Sequence, residues 1–485
     1  MNASEVSNPR TWRKLPDVLR ALYWQHRRYD PALRWSAEQL KDYQQQSWRR
    51  IAQEAAARAP FYRELYRGID LARAPLTDLP PVSKNQLMQR FDEAVIDPAL
   101  ELRKMEPFLT QASPDDRFLD RFHILQTSGS TGQRGFIVYS HHEWIHTIAA
   151  ALRSQKLMGQ KLRLWPKQRM ATFISTNPFH ISCRLTRWSD VGLLRRLTID
   201  PQESLERIAR KLEAFQPETL FGYPSVILPL AQAAVAGSLH IRPDRVIAGG
   251  EAVSSTLRAA VRRAWDCPVL DLYATTETGA LAAETPDSRY LLEDTTLVEI
   301  VDENERPVAD GEPGHHLLIT CLNRMTQPLI RYRLSDRLTL DSPLGAGFPP
   351  FRRVRAIEGR VEDALRLTNH LGQEVEFRYP TLIEDLLEAT KARQIKVIQD
   401  TRGIRVCLVP PNDAAVELPA TVRRWFEATL GKHRLELPPL KISVVQRLAG
   451  DEATMGKYRP IECRLPRGDD NRRASCSPSI LRAHE

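Results

Sequence analysis

Thr127-Ser128-Gly129-Ser130-Thr131-Gly132 places hydroxyl and glycine residues at consecutive positions. A strand-like apolar segment precedes it (Phe122, Ile124, Leu125) and another follows (Phe136, Ile137, Val138, Tyr139). Glycine lets the backbone turn tightly and approach a ligand closely. Successive N–H groups can then converge on an anion, and the hydroxyls add donors. Such a loop between two strands suits the β- and γ-phosphates of a nucleotide. The same composition also makes ordinary solvated turns, so the loop alone decides little. It is not a Walker A loop, because no Gly-Lys-Ser/Thr follows at the required spacing.

Further segments follow in order: Asp271-Leu272-Tyr273-Ala274-Thr275-Thr276-Glu277-Thr278-Gly279, Arg331-Tyr332-Arg333-Leu334-Ser335-Asp336, Gly359-Arg360-Val361-Glu362-Asp363, and Gly456-Lys457. Together with the loop they resemble the acyl-adenylate-forming (AMP-binding) superfamily, in its phenylacetate–CoA ligase-like branch. Pro60-Phe61-Tyr62 and Leu79-Pro80-Pro81-Val82-Ser83-Lys84 look like that branch's N-terminal signature, and the similarity runs from about Pro60 to about Arg464. The resemblance implies an α/β fold: a large, multi-subdomain N-terminal adenylation domain followed by a smaller mobile α/β C-terminal domain. It also implies an ATP-dependent, AMP-forming acid–thiol ligase.

Carried over residue by residue, the resemblance makes Thr127, Ser128, Gly129, Ser130, Thr131 and Gly132 the phosphate cradle. Gln133-Arg134 stand where the family often has lysine. Arg134 is the cation expected there, with a fork that can grip phosphate. Glu277 would serve Mg²⁺, for which a hard oxygen ligand is suited, and Thr276 would lie against a phosphate. The plain alternative is a solvated glutamate at a helix start. Tyr273 resembles the aromatic that packs on adenine. Gly249-Gly250-Glu251-Ala252 resembles the adenine-side turn, although these residues would equally make an ordinary strand-to-helix connection. Asp336 would accept hydrogen bonds from both ribose hydroxyls. Leu334-Ser335 stand before it where the family has Thr-Gly, and pairing with Arg331 or Arg333 is its alternative role. Arg360 would be a second nucleotide contact, and Glu362 aligns with the hinge. Lys457 resembles the lysine that reaches from the small domain to the carboxylate and α-phosphate. An ammonium there offsets the repulsion between two anions. Asn177-Pro178-Phe179-His180 and Phe221-Gly222-Tyr223-Pro224 offer Phe179, His180 and Tyr223 as acid-pocket residues, with a structural histidine as the competing reading.

The chain has 485 residues, 42% hydrophobic and 27% charged, enough for a large core. Residues 1–118 read as helical, with Leu40, Tyr43, Trp48, Ile51 and Ala55 near one face. Residues 119–357 read as an α/β core that binds nucleotide and acid. Expected elements there are strands at 170–175, 245–248 and 269–273 and helices at 204–215 and 254–265, with Ser254 as an N-cap. Short strands at 290–292, 297–301, 316–320 and 338–340 suggest a β-rich subdomain near 290–340. Residues 358–466 read as the small lid domain and 467–485 as a disordered tail. No internal repeat is apparent.

The longest apolar stretch, around 226–236, is too short to span a bilayer, and no signal peptide is apparent. The scattered cysteines include no C-x-x-C pair, which fits reduced thiols in a cytoplasmic protein. The net charge is +9. No zinc-finger or aromatic-basic motif accompanies it, so nucleic acid is not an expected partner. Expected partners are a small carboxylic acid, ATP with Mg²⁺, and coenzyme A. A carrier-protein thiol or an amine is the alternative acceptor, an aryl or arylacetic acid is the default substrate, and a homodimer is compatible with the chain. A catalytically silent relative is the non-enzymatic reading.

His142-Glu143-Trp144-Ile145-His146 matches H-E-x-x-H, the zinc peptidase pattern, and makes a metallohydrolase the remote alternative. A third ligand is needed, and neither Ala149 nor Leu152 supplies the extended form. Many relatives carry a cysteine cluster after the Arg-Tyr-Arg strand. Residues 342–347 contain none, so no structural zinc is expected.

Overall fold

The computed structural model describes residues 11–127, 135–160, 163, 165–342, 349–360, 363–378, 382–390, 392–410, 418–446, 448, 459–465 and 481–482. The chain divides into two compact units, the first running to Ile357 and the second beginning at Glu358.

In the first unit the periodicity around Leu40 becomes the helix Ala37–Arg58. A reciprocal capping box between Ser36 and Gln39 opens it, and Leu40, Trp48, Ile51 and Ala55 are buried. Strands Phe122–Gln126 (β1) and Phe136–Ser140 (β2) form an antiparallel hairpin with Leu125 opposite Ile137. The hydroxyl-rich segment lies between these two strands in the sequence.

Strands Arg169–Phe173 (β3), Arg195–Ile199 (β4), Thr219–Gly222 (β5), Arg245–Gly249 (β6) and Val269–Thr275 (β7) pair in parallel. Parallel strands joined by crossovers need covering helices. Helices Leu205–Phe215, Pro224–Val235 and Ser255–Trp265 supply Leu212, Ile227, Leu230, Leu257 and Val261 against Ala171, Phe173, Leu220, Val246 and Ala248. Two of these helices start at serine caps: Ser204 accepts the Arg207 N–H at 3.3 Å and Ser254 accepts the Leu257 N–H at 3.1 Å.

Gly279–Glu284 (β8) and Arg289–Leu291 (β9) extend the sheet antiparallel. Thr296–Val301 (β10), His316–Cys321 (β11) and Tyr332–Leu334 (β12) form a separate antiparallel sheet. Asp336–Ser342 (β13) and Arg353–Arg360 (β14) then complete the nine-stranded order β13-β14-β9-β8-β7-β6-β5-β3-β4. The short strands expected at 290–340 therefore divide. The middle two pair with each other, and the outer two join the large sheet. Strand propensity marks each segment locally, whereas partner choice is set by distant residues.

In the second unit Leu365–Thr368 (β15) pairs with Glu374–Arg378 (β16), and Gln394–Asp400 (β17), Gly403–Val409 (β18), Leu440–Val444 (β19) and Ile461–Cys463 (β20) make a sheet of order β19-β18-β17-β20. Leu481–Arg482 (β21) pairs in parallel with β16. Helices Leu382–Thr390 and Leu418–Lys432 cover a core that includes Leu386, Val397, Val406 and Phe426. Among the described residues no helix is long and apolar enough to cross a membrane.

Candidate nucleotide and acid site

The parallel strands end at the residues singled out by sequence. β3 leads to Ser175 and on to Phe179 and His180, β5 to Tyr223, β6 to Gly250, Glu251 and Ala252, and β7 to Thr276 and Glu277. Carboxyl ends of parallel strands are where open α/β sheets bind ligands. At the end of β6 the backbone runs against β7. A Cβ on Gly249 would lie 2.5 Å from the Leu272 carbonyl oxygen, and Gly250 has φ +80°. This close approach sets the Gly250-Glu251-Ala252 turn beside Tyr273, which is half-buried on β7. The Glu251 carboxylate accepts the Ser225 N–H at 2.9 Å and the Ser225 hydroxyl at 3.0 Å. It thereby joins the loops after β5 and β6 and offers negative charge to the start of helix Pro224–Val235.

The hairpin is closed at its neck. The Thr127 N–H donates to the Gly135 carbonyl at 2.9 Å, and the Gly135 N–H donates to Thr127 Oγ1 at 3.1 Å. A Cβ on Gly135 would lie 2.7 Å from Lys84 Cε, so the Lys84 side chain crosses this neck. Lys84 closes the signature segment 79–84, and its sequence context alone assigns it no role. Ser128, Gly129, Ser130, Thr131, Gly132 and Arg134 lie outside the described residues. The Gln126 N–H donates to the Phe179 carbonyl at 2.9 Å and brings the acid-pocket candidates beside β1.

Thr276 and Glu277 are 8% and 9% exposed. Their peptides are fixed to the hairpin. The Tyr139 hydroxyl lies 2.9 Å from the Thr276 carbonyl and 3.3 Å from that of Glu277. Buried Arg324 donates to the Glu277 carbonyl and, at 3.1 Å, to the Val138 carbonyl, with its guanidinium 4.0 Å from the centre of the Tyr139 ring. Gln327 completes the frame by accepting the Val138 N–H at 2.8 Å and donating to the Phe136 carbonyl at 3.1 Å. Burial pushes up the pKa of the Tyr139 hydroxyl, and that of the Cys321 thiol to about 11; the Glu277 charge adds to both rises. These neighbours stay neutral.

Among the described residues the Glu277 carboxylate accepts no hydrogen bond and makes no ion pair. Buried charges are normally paired or bound to a metal. A carboxylate presented in this way fits Mg²⁺, which is held by one or two carboxylates, phosphates and waters rather than by an all-protein cage. No group of three or more His, Cys, Asp or Glu side chains among the described residues is placed to hold a metal ion.

Asp336, 9% exposed, opens β13. Of the arginines weighed as its partners, Arg331 is engaged by Glu299 at 3.0 Å and Arg333 by Glu305. Tyr332 between them is buried, and its hydroxyl is pushed up by burial and then by the Glu277 charge. Phe179, His180 and Tyr223 are all buried. The Tyr223 hydroxyl accepts the Ser175 N–H at 3.0 Å, which ties the ends of β3 and β5 together. His180 caps helix Ile181–Ser189 by accepting the Ser182 N–H at Nδ1, 3.3 Å away.

In the second unit the Arg360 N–H donates to Asp363 at 3.0 Å. Glu362 and Lys457 lie outside the described residues.

The H-E-x-x-H pattern has another explanation. Ser140 caps helix His141–Leu157, and the Glu143 carboxylate returns the capping-box bond to the Ser140 N–H at 2.7 Å. Its other oxygen accepts the Met325 and Thr326 N–H groups at 2.6 and 2.8 Å. Glu143 is engaged by three backbone donors, which gives it a structural role here. His146 contacts the Tyr29 hydroxyl at 3.1 Å, and burial lowers its pKa to about 4.

A family model described as AMP-binding enzyme matches residues 41–320, more than half of the chain. Phenylacetate-coenzyme A ligase of Pseudomonas putida is 24% identical over 413 residues, covering 82% of this chain and 86% of that protein. The protein of the same name from Escherichia coli (strain K12) is 25% identical over 349 residues, covering 69% and 74%. Protein CapK of Staphylococcus aureus is 26% identical over 222 residues; the match spans 46% of its length and 44% of this chain. Among solved structures, 2-hydroxyisobutyryl-CoA ligase in complex with 2-HIB-AMP has a TM-score of 0.64 at 18% identity, over 88% of this chain and 89% of that one, which is a likeness of fold. The chain belongs to the AMP-binding enzyme family, in the phenylacetate–CoA ligase-like branch of ATP-dependent, AMP-forming ligases.

Proposed function

We propose that the protein activates a carboxylic acid with ATP, forms an acyl-adenylate and pyrophosphate, and passes the acyl group to a thiol. The observation that carries this reading is the Glu277 carboxylate, nine-tenths buried and unpartnered among the described residues, and fixed by the Tyr139–Arg324 frame to the hairpin that bears the hydroxyl-rich loop. Names of the similar proteins point to an aryl or arylacetic acid and to coenzyme A.

Positioning and preorganised charge do most of the work in such a reaction. Thr127 to Gly132, with Arg134, cradle the triphosphate, and Lys84 adds a cation at the neck of the loop. Tyr273 and the Gly250-Glu251-Ala252 turn hold adenine, Asp336 the ribose, and Arg360 makes a further nucleotide contact. Thr276 lies against a phosphate, and Glu277 holds Mg²⁺, which when bound offsets the charge of the departing pyrophosphate. Phe179, His180 and Tyr223 shape the acid pocket. Lys457 brings acid and α-phosphate together. Glu362 is the hinge between the two half-reactions.

The test incubates purified protein with ATP, magnesium and a collection of carboxylic acids, with coenzyme A or with hydroxylamine as a trap. The expected products are an acyl-coenzyme A and, in the trap, a hydroxamate from the same acid. A hydroxamate with no acyl-coenzyme A would move the acceptor to a carrier-protein thiol or an amine. No ATP-dependent product from any acid would contradict the proposal.

A further inference from the structure

The Asp363 carboxylate joins two segments 96 positions apart in sequence. Oδ2 accepts the Arg360 N–H at 3.0 Å, and Oδ1 pairs with Arg459 Nη2 at 2.8 Å. Gly359 precedes that N–H with φ +86°, in a backbone conformation that keeps Oδ2 close to the turn. Both side chains of the pair are partly sheltered. Arg459 enters the sheet directly: the next carbonyl, of Pro460, accepts the Val397 N–H at 2.8 Å, and β20 pairs with β17 from Ile461 onward. Residues 459–463 are thus pinned on one side by Asp363 and on the other by β17.

Lys457 precedes Arg459 by two residues in the sequence. Asp363 directly follows the hinge position Glu362. One carboxylate therefore links the segment beside the hinge to the anchor of the lysine's arm. The unit does not depend on this pair to fold, because it has its own core around Val397, Val406 and Phe426, and a partly exposed ion pair contributes little stability.

We propose that Asp363 is a positioning residue for adenylation: through Arg459 it fixes the point from which Lys457 reaches the acid and the α-phosphate. The inference rests on the role given to Lys457 above. It is specific to the first half-reaction, because only there is the ammonium placed between two anions.

The test uses the full chain and measures the two half-reactions separately, with thermal unfolding as a check on each variant. Pyrophosphate exchange reports adenylation, and transfer from supplied acyl-adenylate to coenzyme A reports the second step. Asp363→Asn is expected to lower exchange about 10- to 100-fold, the scale of a small misplacement of a catalytic group. Transfer should change less than about 3-fold. Arg459→Lys, which keeps the charge and loses the fork, should show the same split at smaller size. In a Lys457→Ala background Asp363→Asn should cost less than about 2-fold more, because residues acting through one group are not additive. Exchange restored by Asp363→Arg combined with Arg459→Asp would add support. Equal losses in both half-reactions, or a fully multiplicative loss with Lys457→Ala, would overturn the positioning role. Unimpaired exchange in Lys457→Ala alone would instead overturn the reading on which it rests.

Discussion

The Tyr139 hydroxyl lies 2.9 Å from the Thr276 carbonyl oxygen, joining the strand that leaves the hydroxyl-rich loop to the turn that carries Glu277. Both groups are buried, so Tyr139→Phe leaves a carbonyl short of its donor at a cost of about 1–2 kcal/mol. Urea denaturation should show that loss. Pyrophosphate exchange should fall as well, because the turn is no longer fixed to the hairpin. A variant with wild-type stability and exchange would show that the bond does not couple the two elements.

Glu277→Gln should behave differently. Its carboxylate has no protein partner among the described residues, and a buried charge costs free energy, so the thermal midpoint should hold or rise. Exchange should fall by more than about 100-fold, on the scale of losing a key electrostatic group. The extra stabilisation of the wild type by MgATP over ATP alone should shrink. A clear loss of stability without magnesium would assign Glu277 a structural role instead.

Glu143 accepts three backbone N–H groups. Glu143→Gln should therefore destabilise by about 1–3 kcal/mol. His142→Ala should leave ATP-dependent activity intact, and phenanthroline should not inhibit when magnesium is in excess. Stoichiometric zinc in the purified protein, with activity lost on its removal, would revive the metallohydrolase reading.

Stability should fall as the pH drops below neutrality. The unfolded His146 takes up a proton near 6.5, while burial lowers the folded value to about 4. Through that window the unfolded chain binds a proton that the folded chain does not, so falling pH favours unfolding. Above 6.5 the contribution is fully present. Buried His123 acts in the same direction. Asp271 opposes them: burial raises its carboxyl from 3.8 to about 6, so its contribution declines as pH rises across that interval. Comparing wild type with His146→Gln isolates the imidazole. The slope of unfolding free energy against pH should be shallower in the variant, and equal slopes would contradict the assignment.

Much of the α/β core was legible because its signals are local. Ser204 and Ser254 announce helices within a few residues, and the apolar runs ending at Phe173 and Gly249 are short buried strands. The frame around Glu277 was not legible. Tyr139 meets Thr276 across 137 positions, and Arg324 meets Val138 across 186. Nothing in the sequence near Arg324 distinguishes a buried organiser from a surface cation. The H-E-x-x-H pattern misleads for the same reason: its letters are local, but the donors that occupy Glu143 come from Met325 and Thr326. Lys84 stands beside a helix cap in sequence, and its approach to Gly135 exists only once the hairpin packs there.

The central claim is that the acid attacks ATP and leaves as an adenylate. It is tested most directly by following the acid's own oxygen. With a substrate acid labelled with oxygen-18 in its carboxylate, one labelled oxygen should appear in the AMP released when the acyl group moves to the acceptor. Unlabelled AMP, or label appearing in inorganic phosphate alongside ADP, would contradict the account.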